Sequence, residues 1–225
     1  MKVTLISYTK NPEAVCDLAA KVCVSKHMPV LDDHSDLKSL KLAMKSGHFS
    51  VLEHASFTFA IEGISRVTSH QLVRHRLASY EQQSERYVSF KEGFEYSMPE
   101  SVINVVRKDS QMTYYLNDLE YVTSQLAKSL KAADVPDEDI RFLYPQGILT
   151  NIIVSMNSRE LLHFLALRRC SRAQWEIRAM ADKMAEEVQK VAPVIFEKCG
   201  PSCEQMGRCP ELKSCGRINN DEKEN

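Results

Sequence analysis

The chain is short of several things, and each shortage removes a class of protein. It has no excess of charge of either sign: 29 Lys and Arg against 30 Asp and Glu leave a formal net charge of −1. A nucleic-acid-binding role would therefore need a local basic patch rather than overall charge. No apolar run approaches the roughly 20 residues that span a bilayer as a helix. Residues 1–10, MKVTLISYTK, are too short and polar for the apolar stretch of a secretory signal. The protein is thus expected to be cytoplasmic, with no membrane partner. The 7 cysteines are an odd number, which argues against a complete set of intrachain disulfides. There is also no internal repeat or low-complexity linker to divide the body of the chain.

What remains is an ordinary globular composition, 44% hydrophobic and 26% charged over 225 residues, enough for one substantial core. Residues 3–8 read as an opening strand. Asn11, Pro12 and Glu13 then supply an N-cap, a proline at the first helical position and an early acid. Val15, Leu18, Ala19 and Val22 continue that helix, with Cys16 and Cys23 expected to pack as small hydrophobes. A second helix is capped by Ser35 or Asp36 and stopped by Gly47 in the left-handed region, and residues 48–54 follow as a loop. Phe57, Phe59 and Ile61 alternate with Thr58, Ala60 and Glu62, as in a strand with one buried face. Ser65 starts a helix carrying Gln71 and Arg74.

Met112, Tyr115, Leu116, Leu119, Val122, Leu126 and Leu130 mark a long amphipathic helix, stopped by Val135-Pro136. A short helix follows at 136–142, holding Arg141, and 148–156 reads as a β-branched strand with Asn151 in its middle. Asn157 caps the next helix, and Glu160 stands where a capping box places its acid. A last helix runs from 173 to about 198. The fold class is α+β: one domain over 1–198, several helices around a modest, mostly antiparallel sheet. Residues 199–225 form a cysteine-rich tail with a charged end expected to be disordered.

The most specific stretch is 71–87, QLVRHRLASYEQQSERY. It crowds Arg74, His75, Arg76 and Arg86 around Ser79, Ser84 and Tyr87, with almost nothing apolar after Leu77. Guanidinium groups match phosphate and carbonyl oxygens in a two-pronged geometry, so the segment suits a planar, anionic ligand. A plainer reading competes: on a helix Arg74 and Arg76 would point about 200° apart, as on a solvated face. A second block, Gly47 to Ser50 with Glu53 and His54, holds two histidines and an acid. A metal there lacks a third ligand at suitable spacing, and His54 could instead be buried at a strand start. A third block runs from Asn157 through Arg159, His163 and Arg168 to Ile177.

Arg74-His75-Arg76, then seven residues, then Ser84 resembles the signature of the flavin-dependent thymidylate synthases, and the resemblance extends over residues 1–198. It implies that Ser50, Arg74, His75, Arg76, Gln82, Asn157, Arg159 and His163 hold FAD. It places Gln71, Arg74, Gln82, Gln83, Ser84, Glu85, Arg86, Arg141 and Arg168 around dUMP. Ser84 is assigned to binding, since its cationic setting offers no base to make it a nucleophile. Many members of the family have Asn-Glu where this chain has Glu81-Gln82, and an amide at 82 could not act as a base. The implied reaction is reductive methylation of dUMP to dTMP. Methylenetetrahydrofolate supplies the carbon, FAD carries the hydride and NADPH re-reduces it, and Arg168 is the catalytic residue at the uracil edge. Arg159 and His163 lie one turn apart, whereas Arg168 falls on nearly the opposite face. That separation suits the family's homotetramer with active sites shared between subunits. Arg169 and Arg172 read as structural, set against the negative end of a helix.

The tail, Cys199, Cys203, Cys209 and Cys215, could close a tetrahedral zinc shell, although only the first interval has the usual tight spacing; reduced surface thiols or a labile redox pair are the other readings. Two other readings stay open beside the enzyme: a nucleic-acid-binding protein using the arginine patch, and a metal-stabilised regulatory protein built on the tail. The enzyme reading expects small-molecule partners and no nucleic acid.

Overall fold

The structure, a computed structural model, describes residues 1–87 and 94–218. In chain order it has β1 (Lys2–Tyr8), α1 (Pro12–Val22), α2 (Lys38–Lys45), a 3-10 turn (Phe49–His54), β2 (Ser56–Ser65), α3 (Arg66–Leu72) and β3 (Ala78–Gln82). Then come α4 (Glu100–Val106), α5 (Ser110–Ala132), α6 (Asp137–Ile140) with a 3-10 turn (Arg141–Leu143), β4 (Leu149–Asn157), α7 (Ser158–Arg168), α8 (Trp175–Val191) and α9 (Ser202–Met206). The class is α+β. The strands form one sheet in the order β1-β2-β4-β3. Thr9, just after β1, meets Ser56 at the start of β2, and Thr58 meets Ser155 while Ala55 meets Ser158, so both pairings are antiparallel.

Contacts along the chain define two compact units: Met1–Ile61 with Gln71–Tyr80 and Ile153 onward, and Glu62–His70 with Glu81–Ile152. In the first, the alternation in β2 works as read. Phe57 and Phe59 are fully buried, and Phe57 meets Phe196 edge-on at 5.4 Å. Leu161, Phe164 and Leu165 of α7 and Ile177, Met180, Met184 and Val188 of α8 complete this core. Burial of each large apolar side chain stabilises by about 1.5–3 kcal/mol before chain entropy is counted. Asp17 ties α1 to α2. Burial alone would raise its carboxyl, yet bonds from Lys21, Ser35 and the Leu40 amide hold it below the usual range. In the second unit, α5 buries Ser124 and Ala127 but leaves Met112, Tyr115, Leu119, Val122 and Leu126 exposed.

Several local expectations change. Asn11 occupies the N-cap of α1 in the left-handed region and makes no capping bond with its side chain. Ser35 and Asp36 accept from the amides of Leu37 and Lys38, but the cap residue of α2 is Leu37. Gly47 takes φ +76°, as a terminating glycine should. Residues 49–54 form the 3-10 turn rather than a loop, and His54 is exposed, not buried. Cys16 is fully buried, its thiol pushed up to about 12 by desolvation and then by Glu13, whereas Cys23 is exposed. The last long helix stops at Val191, not near 198, because Pro193 has no amide hydrogen to continue it. Glu13 instead accepts from the amides of Val194 and Ile195. The charged end at 219–225 lies outside the described residues. None of the described helices is long and apolar enough to cross a membrane.

Candidate active site

The arginine-rich segment does not lie on a helix. Ser65 accepts from the Thr68 amide at the start of α3, and α3 ends at Leu72, before Arg74. Arg74 and Arg76 are therefore not bound by helical spacing, and the opposed-face argument for a solvated helix lapses. Both are exposed, and among the described residues neither makes a hydrogen bond or ion pair. Between them the chain turns His75 inward, to 5% exposure. Its amide donates to the Leu72 carbonyl. Tyr80, on β3, brings its hydroxyl to the carbonyls of Leu72 and His75 at 2.9 and 2.7 Å. The phenol is raised above its ordinary pKa by burial and by the Glu160 carboxylate, so it stays a donor.

Both ring nitrogens of His75 are engaged. Nδ1 lies 3.1 Å from Oε1 of Glu160, and Nε2 lies 3.0 Å from Nε of Arg168. An arginine has no acceptor, so Nε2 must carry the lone pair and Nδ1 the proton, which it donates to Glu160. His75 is thus neutral. Desolvation and then the Arg168 charge lower its pKa, opposed by Glu160. Arg168 also donates from Nη2 to the Gln71 carbonyl at 3.3 Å. Phe164 seals the ring edge-on at 5.0 Å, and His163 stands at 5.9 Å.

The spacing predicts Glu160 as the acid of a capping box. The cap is real, with Asn157 Oδ1 accepting from the Glu160 amide at 2.9 Å. The Glu160 side chain, however, is buried against His75, a use that no local pattern could reveal. It is the chief residue missed from sequence. With both ring nitrogens of His75 engaged, its expected contact with a flavin is left to its backbone or its ring face. Arg159 and His163 are exposed one turn apart, as read, and Arg159 pairs with Glu53 at 2.6 Å. Ser50 is exposed in the 3-10 turn.

In the second unit the amide of Gln82 donates to Ser69 at 2.9 Å and Thr150 at 3.3 Å. The Gln83 amide donates to the Asn151 carbonyl. Ser84 accepts from the Arg86 amide at 3.2 Å. Arg86 pairs with the Glu138 carboxylate at 2.8 Å, and Arg141 donates to the Glu138 carbonyl at 3.0 Å. Glu85 holds Arg66 at 2.8 Å. Beside them opens a cavity of about 470 Å³, lined by Arg66, His70, Glu85, Arg141, Tyr144 and Ile148 among others. Arg66 and His70 were not anticipated; they precede the signature and carry no motif of their own.

The structural reading of Arg169 and Arg172 acquires specific partners. Arg169 bonds Asp182 on α8 and the Cys199 carbonyl, and Arg172 donates to the Lys213 carbonyl. The zinc expectation does not find its cluster. Cys199 and Cys203 are buried and Cys215 is exposed. Among the described residues no group of three or more His, Cys, Asp or Glu is gathered to hold a metal. Guanidinium and amide donors carried on an α+β frame are the chemistry of the class of proteins that grip planar anions.

Comparison with known proteins makes that class specific. The family model described as thymidylate synthase complementing protein matches residues 4–194. The flavin-dependent thymidylate synthase of Geobacter sulfurreducens is 46% identical over 224 residues, covering 96% of this chain and 94% of the relative. That of Pyrococcus furiosus is 44% identical, covering 94% and 90%. The crystal structure of Helicobacter pylori thymidylate synthase X with FAD and dUMP matches with a TM-score of 0.68 at 25% identity, over 88% of this chain and 99% of that one. The chain belongs to the flavin-dependent thymidylate synthases, enzymes that make dTMP.

Proposed function

We propose that this enzyme methylates dUMP reductively, taking the one-carbon unit from methylenetetrahydrofolate and its reducing equivalents from NADPH by way of FAD. The observation that carries this reading is the setting of Arg168, a half-buried guanidinium whose partners are a neutral imidazole and a carbonyl. It keeps its full charge and one unengaged pair of donors. Against a uracil edge, such a group stabilises negative charge as the ring loses its N3 proton, which makes C5 more nucleophilic.

The remaining expected contacts follow by chemistry. Arg86, Ser84 and Arg141 suit the dUMP phosphate, a dianion that takes charge-assisted bonds from arginine. Gln71, Arg74, Gln82, Gln83 and Glu85 complete the dUMP set. Arg74, Arg76, Gln82, Arg159, His163, Ser50 and Asn157 suit FAD, and His75 joins them through its backbone or ring face. This donor set fits the group, because exposed guanidiniums match its diphosphate and two of them, Arg74 and Arg76, have no partner among the described residues. When bound, FAD supplies the hydride; the chain's own part is orientation, charge and exclusion of water.

A homotetramer with shared active sites belongs to the same proposal. The exposed stripe Met112, Tyr115, Leu119, Val122 and Leu126 on α5 repeats at three and four residues, the spacing of a helix seam that meets another helix. The experiment is direct: purified protein should carry a flavin absorbance spectrum and form dTMP from dUMP, methylenetetrahydrofolate and NADPH. Omitting any one of the three should abolish the product. A flavin-loaded protein that makes no dTMP with all three present would overturn the reading.

A further inference from the structure

Arg168 is held in an unusual way for a half-buried arginine. Its Nε–H and one Nη2–H, which form one fork of the guanidinium, point at His75 Nε2 and the Gln71 carbonyl. The other fork, at the Nη1 and Nη2 tip, has no hydrogen-bond partner among the described residues. A carboxylate is close by in the same network, yet it does not touch the arginine: His75 stands between Glu160 and Arg168. Had Glu160 paired with Arg168 directly, its charge would compensate the guanidinium at contact distance. With the imidazole interposed, the network still contains one negative and one positive group, but the tip of Arg168 keeps its charge for a ligand.

We propose that His75 and Glu160 are positioning residues for Arg168. The imidazole grips the inner fork of the guanidinium, and the carboxylate locks the imidazole in the Nδ1–H tautomer that alone can do so. The proposal rests on the reading that Arg168 meets the uracil ring. The device is sealed and anchored: His75 and Glu160 are 5% and 6% exposed, Phe164 covers the ring, and Tyr80 fixes the His75 backbone. It is also proton-sensitive, because a protonated His75 would turn Nε2–H against Nε–H of Arg168 and release it. The charged and titratable groups facing His75 are Glu160, His163 and Arg168 from α7 and Tyr80 from β3. Burial and Arg168 keep the ring neutral, whereas Glu160 favours its protonation.

The test uses flavin-loaded full-length enzyme, pre-reduced and mixed with saturating dUMP and methylenetetrahydrofolate, and reads dTMP in a single turnover. His75→Phe keeps the ring but removes the acceptor, and should slow this step roughly 100-fold, the scale of a displaced catalytic group. Flavin content and dUMP affinity should hold, since the loss lies in the transition state. His75→Gln, which restores an acceptor, should recover about tenfold of the loss. In an Arg168→Ala background, His75→Phe should add nothing, because both act through one group. Nitrogen-15 spectra of labelled histidine should show His75 neutral with its proton on Nδ1, and Glu160→Gln should lower the pH at which it titrates. A parent rate in His75→Phe, a full additive loss on top of Arg168→Ala, loss of flavin in His75→Phe, or a proton on Nε2 would each overturn the positioning role. If Arg168→Ala itself made dTMP at the parent rate, the reading of Arg168 at the uracil would fail instead, and the two failures are distinguishable. Should His75→Phe not fold, the Glu160→Gln titration and the parent's tautomer still decide the matter.

Discussion

Arg159 and Arg168 stand near opposite ends of α7, and the two ends treat a guanidinium differently. Arg159 pairs in the open with Glu53, its side chain 54% exposed. Arg168 is half-buried and rests on a neutral ring and a carbonyl. Arg86, against Glu138, follows the Arg159 pattern. An exposed ion pair is worth at most about 1 kcal/mol, so its arginine can leave one anion for another at little cost. A half-buried arginine cannot be rearranged so cheaply. Its usefulness depends on being aimed beforehand, with its charge uncompensated. Adaptable binding and fixed electrostatic stabilisation thus use the same side chain with opposite partners.

The largest effect expected from this contrast is on chemistry at Arg168. Arg168→Ala should cut single-turnover dTMP formation by roughly 10²–10³-fold while flavin stays bound and reducible by NADPH. Lysine should restore only part, since a point charge cannot reproduce a planar fork. A parent rate would erase the distinction between the two ends of α7.

Next in size is Arg86→Ala, expected to weaken dUMP binding by about 2–3 kcal/mol through loss of a charge-assisted contact. Titration calorimetry reads this directly. Its counterpart, Glu138→Gln, frees Arg86 and should leave dUMP affinity equal or tighter. Weaker binding there would mean that Glu138 aims Arg86, making the exposed pair resemble the buried one.

A smaller effect concerns stability against pH. The folded-state pKa of His75 is lowered, by burial first and Arg168 second. Between that lowered value and about 6.5, the unfolded chain binds the extra proton, so stability should rise with pH across the window. The contribution is fully present above about 6.5 and lost as pH falls through the folded pKa. Urea midpoints across an acid pH series should show this slope, and His75→Phe should flatten it. An unchanged slope would place the titration elsewhere.

The smallest effect is on folding at the exposed end. Arg159→Ala should change unfolding free energy by less than about 1 kcal/mol, while flavin retention on gel filtration falls. A large loss of stability would show that the Glu53 pair is structural and that Arg159 is no freer than Arg168.

Much of this was legible along the chain. Phe57, Phe59 and Ile61 face one side of β2 because side chains alternate in a strand, and Asn157 caps α7 because its short amide reaches the next free amides; both follow from spacing alone. The Arg-His-Arg and Ser84 spacing was enough to suggest the family. Where the structure departs from the local pattern, distant partners and local breaks in the helices share the cause. Glu160 left its capping box for a histidine 85 residues away. The turn after Leu72 removed the helix that would have set Arg74 against Arg76, and Glu13 caught the amides freed beyond Pro193.

The sequence by itself determined the α+β class and most of the elements, because propensity, periodicity and charge act over a few residues. Only the tertiary structure decided that Arg168, half-buried, keeps its charge uncompensated. That choice depends on whether a carboxylate or a neutral imidazole is brought within 3 Å, and Arg168 and His75 are 93 residues apart along the chain.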